Sequence, residues 1–258
     1  MKLSILMPVY NEAQTLASAV ERVLEVSYPC EVELVLVDDG STDGSAEIAA
    51  KLDDPRVTVG RHAHNRGKGA ALRTAVALAS GDYVVPCDAD LEYTPADIPK
   101  LLDPVIAGEA EVVFGTRTFG SHTAYSFWYV LGNFAVTLAA NVLYNAWMSD
   151  LETCFKLMPR AVYRSLDLRQ NGFGIEAEIT AKLLRAGVRP FEVSIKYRAR
   201  SRFEGKKLTW RDGVMALWIL TGLRLRRPMV LPVGNSGAAW DASPPDADRG
   251  HDGEPDRG

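Results

Sequence analysis

Apolar runs of strand length alternate with helical patterns through the first 115 residues of the chain. The strand-like runs are continuous rather than alternating, as in LVLV at 34–37 and YVVP at 83–86. Continuous apolar strands are typical of a sheet covered on both faces, and hence of parallel strands joined by helical crossovers. The pattern therefore predicts an α/β, doubly wound fold. Its predicted strands lie at 3–7, 33–37, 57–59, 83–87 and 111–114, and its predicted helices at 14–26, 44–52, 68–79 and 95–106.

The pattern changes after residue 115, where a long region of helical character contains no acid, lysine or arginine between Arg117 and Asp150. Beyond it we expect a helix at 175–186, a strand at 191–197 and an amphipathic C-terminal helix from about residue 210. From residue 234 the Gly, Pro, Asp and Ser content predicts a disordered acidic tail over 234–258. We expect one domain over 1–228, with halves at 1–117 and 118–228.

The charge is distributed unevenly along the 258 residues, which carry 29 basic and 33 acidic side chains and a formal net charge of −4. Residues 1–181 hold 24 acidic and 14 basic side chains, whereas residues 182–228 hold 13 basic and three acidic ones. A nucleic-acid binder needs a basic surface over its folded part, so we expect no nucleic-acid partner.

The cysteines and the N-terminus favour a reducing, cytoplasmic setting. Cys30, Cys87 and Cys154 are far apart and form no CxxC pair, so neither a disulfide framework nor a zinc site is expected. The first apolar run is too short for a signal peptide and is broken by Pro8. No stretch reaches the roughly 20 predominantly apolar residues of a spanning helix.

Polar clusters follow three of the predicted strands: PVYNE at 8–12, DDGS at 38–41 and DADLE at 88–92. Ligands of doubly wound sheets bind beyond the carboxyl ends of the strands. Asp88 and Asp90 flank one residue directly after a buried strand, and such carboxylates can hold a divalent cation that also binds phosphate oxygens. Glu92 is placed to ligate or orient the same ion. We predict a site for a divalent cation at Asp88, Asp90 and Glu92.

Two glycine-containing segments admit a structural and a functional interpretation. In DDGSTDGS, Asp43 would cap the next helix, while Asp38 or Asp39 would accept an N–H of a nucleobase; both can hold together. Gly67-Lys68-Gly69 is not a P-loop, because the GxxxxGK[ST] spacing fails. We favour a glycine-started helix packed closely on the sheet over a phosphate contact there.

Five segments together resemble the family 2 inverting glycosyltransferases of GT-A fold: PVYNE at 8–12, VDDGSTDGS at 37–45, NRGKGAALRTA at 65–75, GDYVVPCDADLEYTP at 81–95 and GTR at 115–117. SDLETCFKLMPRAVY at 149–163 and YRARSRFEGKKLTWRDG at 197–213 look like the branch that contains dolichyl- and polyprenyl-phosphate sugar synthases. The resemblance covers about residues 3–222.

The resemblance implies a mostly parallel sheet, with 1–117 as the nucleotide-sugar half and 118–228 as the acceptor half. It implies that the nucleotide-sugar donor is bound by Pro8, Tyr10, Glu12, Asp38, Asp39, Asp88, Ala89, Asp90, Arg117, Arg200, Arg202, Lys206 and Lys207. It also implies that the divalent cation at Asp88, Asp90 and Glu92 is Mg²⁺ or Mn²⁺. Arg117 would reach toward the sugar or acceptor, and the basic residues after it would close over phosphates. The branch carries a motif like RxxGxSK, whereas 202–207 reads RFEGKK, so which of Arg200 and Arg202 holds phosphate stays open.

The acceptor decides whether a general base is needed. A hydroxyl acceptor would need one, for which Asp150 and Glu176 are the candidates. A phosphate monoester has a second pKa of about 6, so it is already anionic and needs positioning more than deprotonation. For this branch we predict that a polyprenyl phosphate oxygen attacks directly, with inversion, and that Asp150 organises the acceptor site. The candidate catalytic residues are Asp150, Arg117 and Glu176.

Two apolar segments predict contact with a membrane surface. In the uncharged region, polar residues recur at every fourth position, at Asn133, Thr137, Asn141 and Asn145, so this helix cannot face lipid all round. Such a helix suits the membrane interface. The second segment, 214–223, is followed by arginines that favour anionic headgroups: Arg224, Arg226 and Arg227. A protein core or a homo-oligomer surface is the alternative. We expect a peripheral enzyme on the cytoplasmic face of a membrane.

Other functions stay open. Transfer to a saccharide or protein hydroxyl is one, and a non-catalytic nucleotide-sugar-binding subunit is another, although that subunit would be expected to lose Asp88 and Asp90. A sugar-1-phosphate nucleotidyltransferase is disfavoured, because PVYNE stands where a GxGTR-type loop would follow the first strand. UDP is slightly preferred to GDP as the donor nucleotide.

Overall fold

The computed structural model describes residues 1–118, 127–199, 209–226 and 230–232. The described strands are β1 (Lys2–Val9), β2 (Glu31–Asp38), β3 (Val57–Arg61), β4 (Tyr83–Pro86), β5 (Val113–Thr116), β6 (Lys156–Pro159) and β7 (Phe191–Ser194). The predicted tail lies outside the described residues, as do Arg200, Arg202, Lys206, Lys207 and Arg227.

Eight α-helices are described: α1 (Leu16–Leu24), α2 (Ser45–Ala49), α3 (Lys68–Leu78), α4 (Ile98–Ile106), α5 (Phe127–Tyr144), α6 (Arg160–Ser165), α7 (Ile175–Arg185) and α8 (Trp210–Arg224). A short 3₁₀ turn, Pro95–Asp97, leads into α4 and accounts for the earlier start predicted for that helix. No described helix is both long and apolar enough to cross a bilayer.

The seven strands form one sheet in the order β3-β2-β1-β4-β6-β5-β7. β1 runs parallel to β2 and β4, β2 to β3, and β5 to β7, while β6 is antiparallel to both of its neighbours. The predicted mostly parallel, doubly wound sheet is confirmed. Because β6 and β7 join it, the two predicted halves of the chain share one sheet.

The sequence pattern does not predict β6, because KLMP begins with a lysine and ends with a proline and so does not form a continuous apolar run. Its direction matters for the site. An antiparallel strand begins at the edge where its parallel neighbours end, so the residues that precede Lys156 lie beside those that follow β4 and β5.

The core lies on both faces of the sheet, which explains the continuous apolar runs. In β1, Leu6 belongs to the cluster formed with α3, α5, α7 and α8, whereas Ile5 and Met7 belong to the cluster formed with α1 and α4. Successive side chains of a strand point to opposite faces, so both registers must be apolar.

Candidate functional site

The carboxyl ends of β1, β2 and β4 meet at one edge of the sheet. In the parallel register Val9 lies opposite Asp38, and Leu6 lies opposite Pro86. The N–H of Asp39 donates to the carbonyl of Val9 at 2.7 Å, which extends this pairing past the end of β2. The three predicted polar clusters therefore leave the sheet side by side, with Pro8, Tyr10 and Glu12 partly exposed along the edge.

Asp39 fixes the loop that precedes α3. Its buried carboxylate lies 2.6 Å from Nδ1 of His62, and it accepts the backbone N–H groups of Arg66 and Gly67 at 3.0 and 2.7 Å. Both oxygens are thus engaged inside the protein. Asp39 therefore holds the loop before α3 in place.

Asp38 is also buried, but one of its oxygens is less committed. Oδ1 accepts the N–H of Ser41 at 3.2 Å, while Oδ2 lies 3.4 Å from Nε of Arg61 and has no hydrogen bond within the described part of the chain. Of the two adjacent carboxylates, Asp38 is therefore the one that retains an oxygen able to accept a hydrogen bond from a ligand.

The loop after β1 is joined to the loop after β2 by hydrogen bonds. Asn11 adopts a left-handed conformation with φ of 53°, its N–H donates to Oγ of Ser41, and its Oδ1 accepts the N–H of Thr42. The N–H of Glu12 donates to Oγ of Ser45 at 2.9 Å. These contacts hold the loops after β1 and β2 in a fixed arrangement.

Asp43 supports the start of α2, although Gly44, one residue later than predicted, occupies the N-cap position. The Asp43 carboxylate accepts N–H groups from Ser45 and Ala13. Partial burial opposes its ionisation, but the hydrogen bonds from Ser45 and Ala13 outweigh burial and hold the pKa of Asp43 below its ordinary value.

Asp88 and Asp90 lie at the end of β4 with different partners. Oδ2 of Asp88 accepts a hydrogen bond from Nζ of Lys68 at 2.8 Å, and Oδ1 of Asp90 accepts the N–H of Glu92 at 3.0 Å. Between them, Ala89 is buried. Leu91 has a φ of 61°, and this left-handed residue turns the chain sharply after the second carboxylate.

Glu92 lies in a different environment from the one predicted for a metal ligand. Its Oε2 accepts a hydrogen bond from the hydroxyl of Tyr197 at 2.6 Å. Within the described ranges, no group of three or more His, Cys, Asp or Glu side chains is arranged to hold a metal ion. The structure therefore does not assemble Asp88, Asp90 and Glu92 into a three-carboxylate cage.

The remaining donor set still fits a metal that arrives with a phosphate ligand. Mg²⁺ in nucleotide sites is usually held by one or two carboxylates together with substrate phosphates and water, rather than by an all-protein cage. Asp88 is partly exposed at the sheet edge, with 21% of its side chain accessible, and Asp90 follows it across a single residue. These two carboxylates are the residues that would hold the metal.

A chain of alternating charges leads from Asp88 into the interior. Nζ of Lys68 lies 3.2 Å from Oε1 of Glu176, and Oε2 of Glu176 lies 2.7 Å from Nζ of the fully buried Lys156. Lys156 also donates to the carbonyls of Leu151 and Thr153. We call Asp88, Lys68, Glu176 and Lys156 the buried charge chain.

The buried charge chain affects the protonation of Lys68 and the role open to Glu176. Burial by itself would lower the pKa of Lys68, but Asp88 and Glu176 outweigh it and raise that pKa well above its ordinary value, so Lys68 stays charged. Glu176, a candidate base from the sequence, is buried and faces one lysine with each carboxylate oxygen. This environment suits a structural counterion better than a proton acceptor for substrate.

The glycines that flank Lys68 allow α3 to begin close to another loop. A Cβ on Gly67 would lie 2.3 Å from the carbonyl oxygen of Asn171, and one on Gly69 would lie 2.2 Å from that of Gln170. Gly69 donates its N–H to Asn171 at 2.7 Å. The expected glycine-started helix is present, but its glycines pack against the 170–171 loop and not against the sheet.

Arg117 and Asp150 form a buried, two-pronged ion pair. Nε of Arg117 donates to Oδ2 of Asp150 at 2.6 Å and Nη2 donates to Oδ1 at 2.7 Å, while Nδ2 of Asn133 also donates to Oδ1 at 3.1 Å. Burial opposes the ionisation of Asp150, but Arg117 and Asn133 outweigh it and lower the pKa of Asp150. The guanidinium also lies over the ring of Tyr197, 4.9 Å from its centroid.

Glu152 is a site residue that the sequence pattern does not single out. Burial, the largest influence, raises its pKa to about 7, in an environment that also includes Lys156, Glu176, Arg117 and Asp150. The raised pKa depends on burial, which the sequence does not reveal. The position of Glu152 two residues after Asp150 is the one feature of the sequence that could have pointed to it.

An exposed apolar surface is formed by α5, which contacts Asp150 through Asn133, and by α8. Helices α5 and α8 pack together, and Nε of Arg224 donates to the carbonyl of Leu143 at 2.7 Å. We call their outward apolar side chains the apolar ridge: Phe127, Trp128, Val130, Leu131, Phe134, Leu138 and Val142 on α5, and Trp210, Val214, Met215, Leu217 and Trp218 on α8.

The acidic strand ends, the charged pair at Arg117 and the sheet order define a glycosyltransferase domain. The family described as "Glycosyl transferase family 2" matches residues 4–167, and the chain belongs to this family. Its fold is shared with glucosyl-3-phosphoglycerate synthase from Mycobacterium tuberculosis, solved with Mn²⁺, UDP and glucosyl-3-phosphoglycerate. That superposition has a TM-score of 0.64, covers 86% of this chain and 78% of the other, and has 22% sequence identity.

Among the curated relatives, the chain is similar to glycosyltransferase AglJ of Haloferax volcanii, with 28% identity over 76% of this chain and 63% of the relative. It is also similar to the dolichol-phosphate mannosyltransferase of Pyrococcus furiosus, with 29% identity over 81% of this chain and 61% of the relative. The chain thus spans less than two thirds of the length of both relatives.

Proposed function

We propose that the chain transfers a sugar from a nucleoside diphosphate sugar to a polyprenyl phosphate at a membrane surface. The observation that carries this proposal is the position of α5. Asn133 of α5 donates to the buried carboxylate of Asp150, while the outward side of the same helix forms part of the apolar ridge. One helix thus joins the acceptor side of the site to a surface suited to lipid.

On the donor side, Asp38 would accept an N–H of the base, and Asp88 and Asp90 would hold Mg²⁺ or Mn²⁺ on the diphosphate. The metal would supply charge neutralisation for the departing diphosphate. UDP is the preferred nucleotide, and the M. tuberculosis structure with UDP and Mn²⁺ supports that choice. Arg200, Arg202, Lys206 and Lys207 remain proposed phosphate contacts.

In the reaction, an oxygen of the acceptor phosphate would attack the anomeric carbon from the face opposite the diphosphate. The bond from that carbon to the diphosphate oxygen breaks, and the nucleoside diphosphate leaves with the electron pair. Because attack and departure take place on opposite faces, the configuration inverts. Asp150 is held ionised with its oxygens bound by Arg117 and Asn133, so it would orient Arg117 rather than accept a proton. A phosphate nucleophile needs no such base, since its second pKa is about 6.

The membrane component rests on the apolar ridge and its charged surroundings. Trp128 and Trp218 are each more than 70% exposed, and aromatic side chains of this kind prefer the depth of lipid headgroups. Arg211 and Arg226 lie at the two ends of α8, where anionic headgroups would attract them. The similarity to a protein named dolichol-phosphate mannosyltransferase supports a lipid phosphate acceptor, and we place the site at the cytoplasmic face.

Glu152 supports one alternative function, transfer to a saccharide or protein hydroxyl. A general base works best with a pKa near the working pH, and the pKa of Glu152 is about 7. In that case Glu152→Gln would remove the acidic limb of the pH profile of kcat and lower kcat by about 10²-fold or more. With a phosphate acceptor, the same variant should keep most of its turnover.

The test is to incubate the protein with Mn²⁺ or Mg²⁺, labelled UDP- and GDP-sugars and a short polyprenyl phosphate, with a saccharide and a protein acceptor offered in parallel. We expect an organic-soluble labelled product, and a loss of about 10²-fold or more in turnover for Asp88→Asn. Asp53→Asn, an exposed carboxylate outside the site, is the matched control and should behave like the wild type. Labelled saccharide or protein with no organic-soluble product would overturn the lipid acceptor.

A further inference from the structure

Lys68 binds the carboxylate that a metal would need. Its Nζ donates to Oδ2 of Asp88 at 2.8 Å, and only 13% of the side chain is exposed. An ammonium group with this geometry competes directly with any cation for Asp88. Binding of a divalent cation at Asp88 therefore depends on whether the charge of Lys68 stays next to that carboxylate.

The rest of the buried charge chain keeps Lys68 in place. Glu176 holds Lys68 with one oxygen at 3.2 Å and Lys156 with the other at 2.7 Å. Lys156 is itself fully buried and donates to two backbone carbonyls, so it holds the Glu176 carboxylate in a fixed position. Charges interact more strongly in a buried environment than in water, so the positive charge of Lys68 acts strongly on its neighbours.

We propose that Lys68 makes metal binding conditional on the diphosphate of the donor. The inference rests on the proposed donor and metal site. Without a diphosphate, the positive charge of Lys68 opposes a dication at Asp88. A nucleoside diphosphate supplies negative charge that attracts both cations, so Lys68 and the metal then share one anion. Because coupling between two ligands is reciprocal, the metal should also tighten binding of the nucleotide.

The test measures Mn²⁺ affinity directly, by electron paramagnetic resonance of free Mn²⁺ during titration of the full chain with and without UDP. Wild type should bind Mn²⁺ weakly alone and much more tightly with UDP. In Lys68→Met, Mn²⁺ alone should bind about tenfold more tightly, and the enhancement by UDP should fall by about tenfold. Lys68→Arg retains the charge and should retain the wild-type pattern, as should Lys51→Met, which alters an exposed lysine.

A second variant guards against misfolding. Lys68→Gln removes the charge but keeps a polar side chain beside Asp88, and like Lys68→Met it leaves the buried pair of Glu176 and Lys156 intact. It should show the same gain for Mn²⁺, and if Lys68→Met does not fold, Lys68→Gln decides. Should wild type bind no Mn²⁺ even with UDP, the metal site and this inference both fail. Should wild type show the enhancement while neither variant binds Mn²⁺ alone more tightly, only the role of Lys68 is overturned.

Discussion

The two adjacent carboxylates at the end of β2 differ in their hydrogen-bond partners, and this difference determines which of them can bind a ligand. Asp38 and Asp39 are both almost fully buried, yet Asp39 is saturated by His62 and two backbone N–H groups, whereas Asp38 retains an oxygen without a hydrogen bond in the described ranges. A carboxylate such as Asp39, whose two oxygens already accept hydrogen bonds from the protein, stabilises the loop that donates them. A buried oxygen with a vacant acceptor position is unfavourable unless a ligand donates to it.

Glu152 gives a pH-dependent prediction for stability. Its pKa rises from 4.5 in the unfolded chain to about 7 in the folded one, so the folded state binds the extra proton between these values. Stability should therefore fall as pH rises from about 4.5 to about 7, and stay constant above. Glu152→Gln should remove this pH dependence. The free energy of unfolding of the variant minus that of wild type should therefore be larger at pH 8 than at pH 4.5. Urea unfolding at both pH values measures the difference. Glu109→Gln, at an exposed position, should show no such dependence.

At the scale of the element, α5 reverses the usual arrangement of a surface helix. Its polar side chains face the protein: Thr137 accepts the N–H of Leu151, and Asn141 pairs with both backbone groups of Met148. Most of its large apolar side chains face outward, whereas Val136 and Tyr144 join the core. The four-residue polar repeat in the sequence thus marks the side that holds the 148–151 loop, and solvent or lipid is left to contact the apolar side.

Helix α3 gives a prediction about packing. Gly69→Ala would place a methyl group 2.2 Å from the carbonyl oxygen of Gln170, so α3 and the 170–171 loop must separate. We expect a loss of about 1–3 kcal/mol in the free energy of unfolding. Gly172→Ala is the matched control, because a Cβ there meets nothing within 4 Å. Equal midpoints of urea unfolding for the two variants would contradict the close packing seen at Gly69.

For the whole molecule, the sequence predicts the fold and the sheet edge where the candidate site lies, because both depend on continuous apolar runs and on short polar motifs next to strand ends. It does not predict β6, whose lysine and proline interrupt such a run. The contact from Lys68 to Glu176 joins residues 108 positions apart, and pairing of this kind has no local signal. The choice between Asp38 and Asp39 depends on His62 and on the N–H groups of a later loop, which only the fold brings near.

The apolar ridge predicts membrane association of the whole molecule. Trp128→Glu combined with Trp218→Glu should weaken binding to phosphatidylglycerol vesicles by about tenfold or more, because two charges replace buried aromatic contacts at the lipid interface. Cosedimentation with the vesicles measures this affinity. Ile106→Glu, an exposed apolar position on α4, should bind vesicles like the wild type. Equal loss in both proteins would point to a general effect of charge.

The reversed direction of β6 brings a later stretch of the chain to the edge where the polar clusters after β1, β2 and β4 lie. Those clusters, all before residue 93, are joined to one another by contacts among residues 8–68 and 88. The stretch between β5 and β6 supplies Arg117, Asn133 and Asp150 to the same edge. If the proposed function holds, substitutions confined to 127–155 should therefore change the choice of acceptor more than the binding of the donor by Asp38, Asp88 and Asp90.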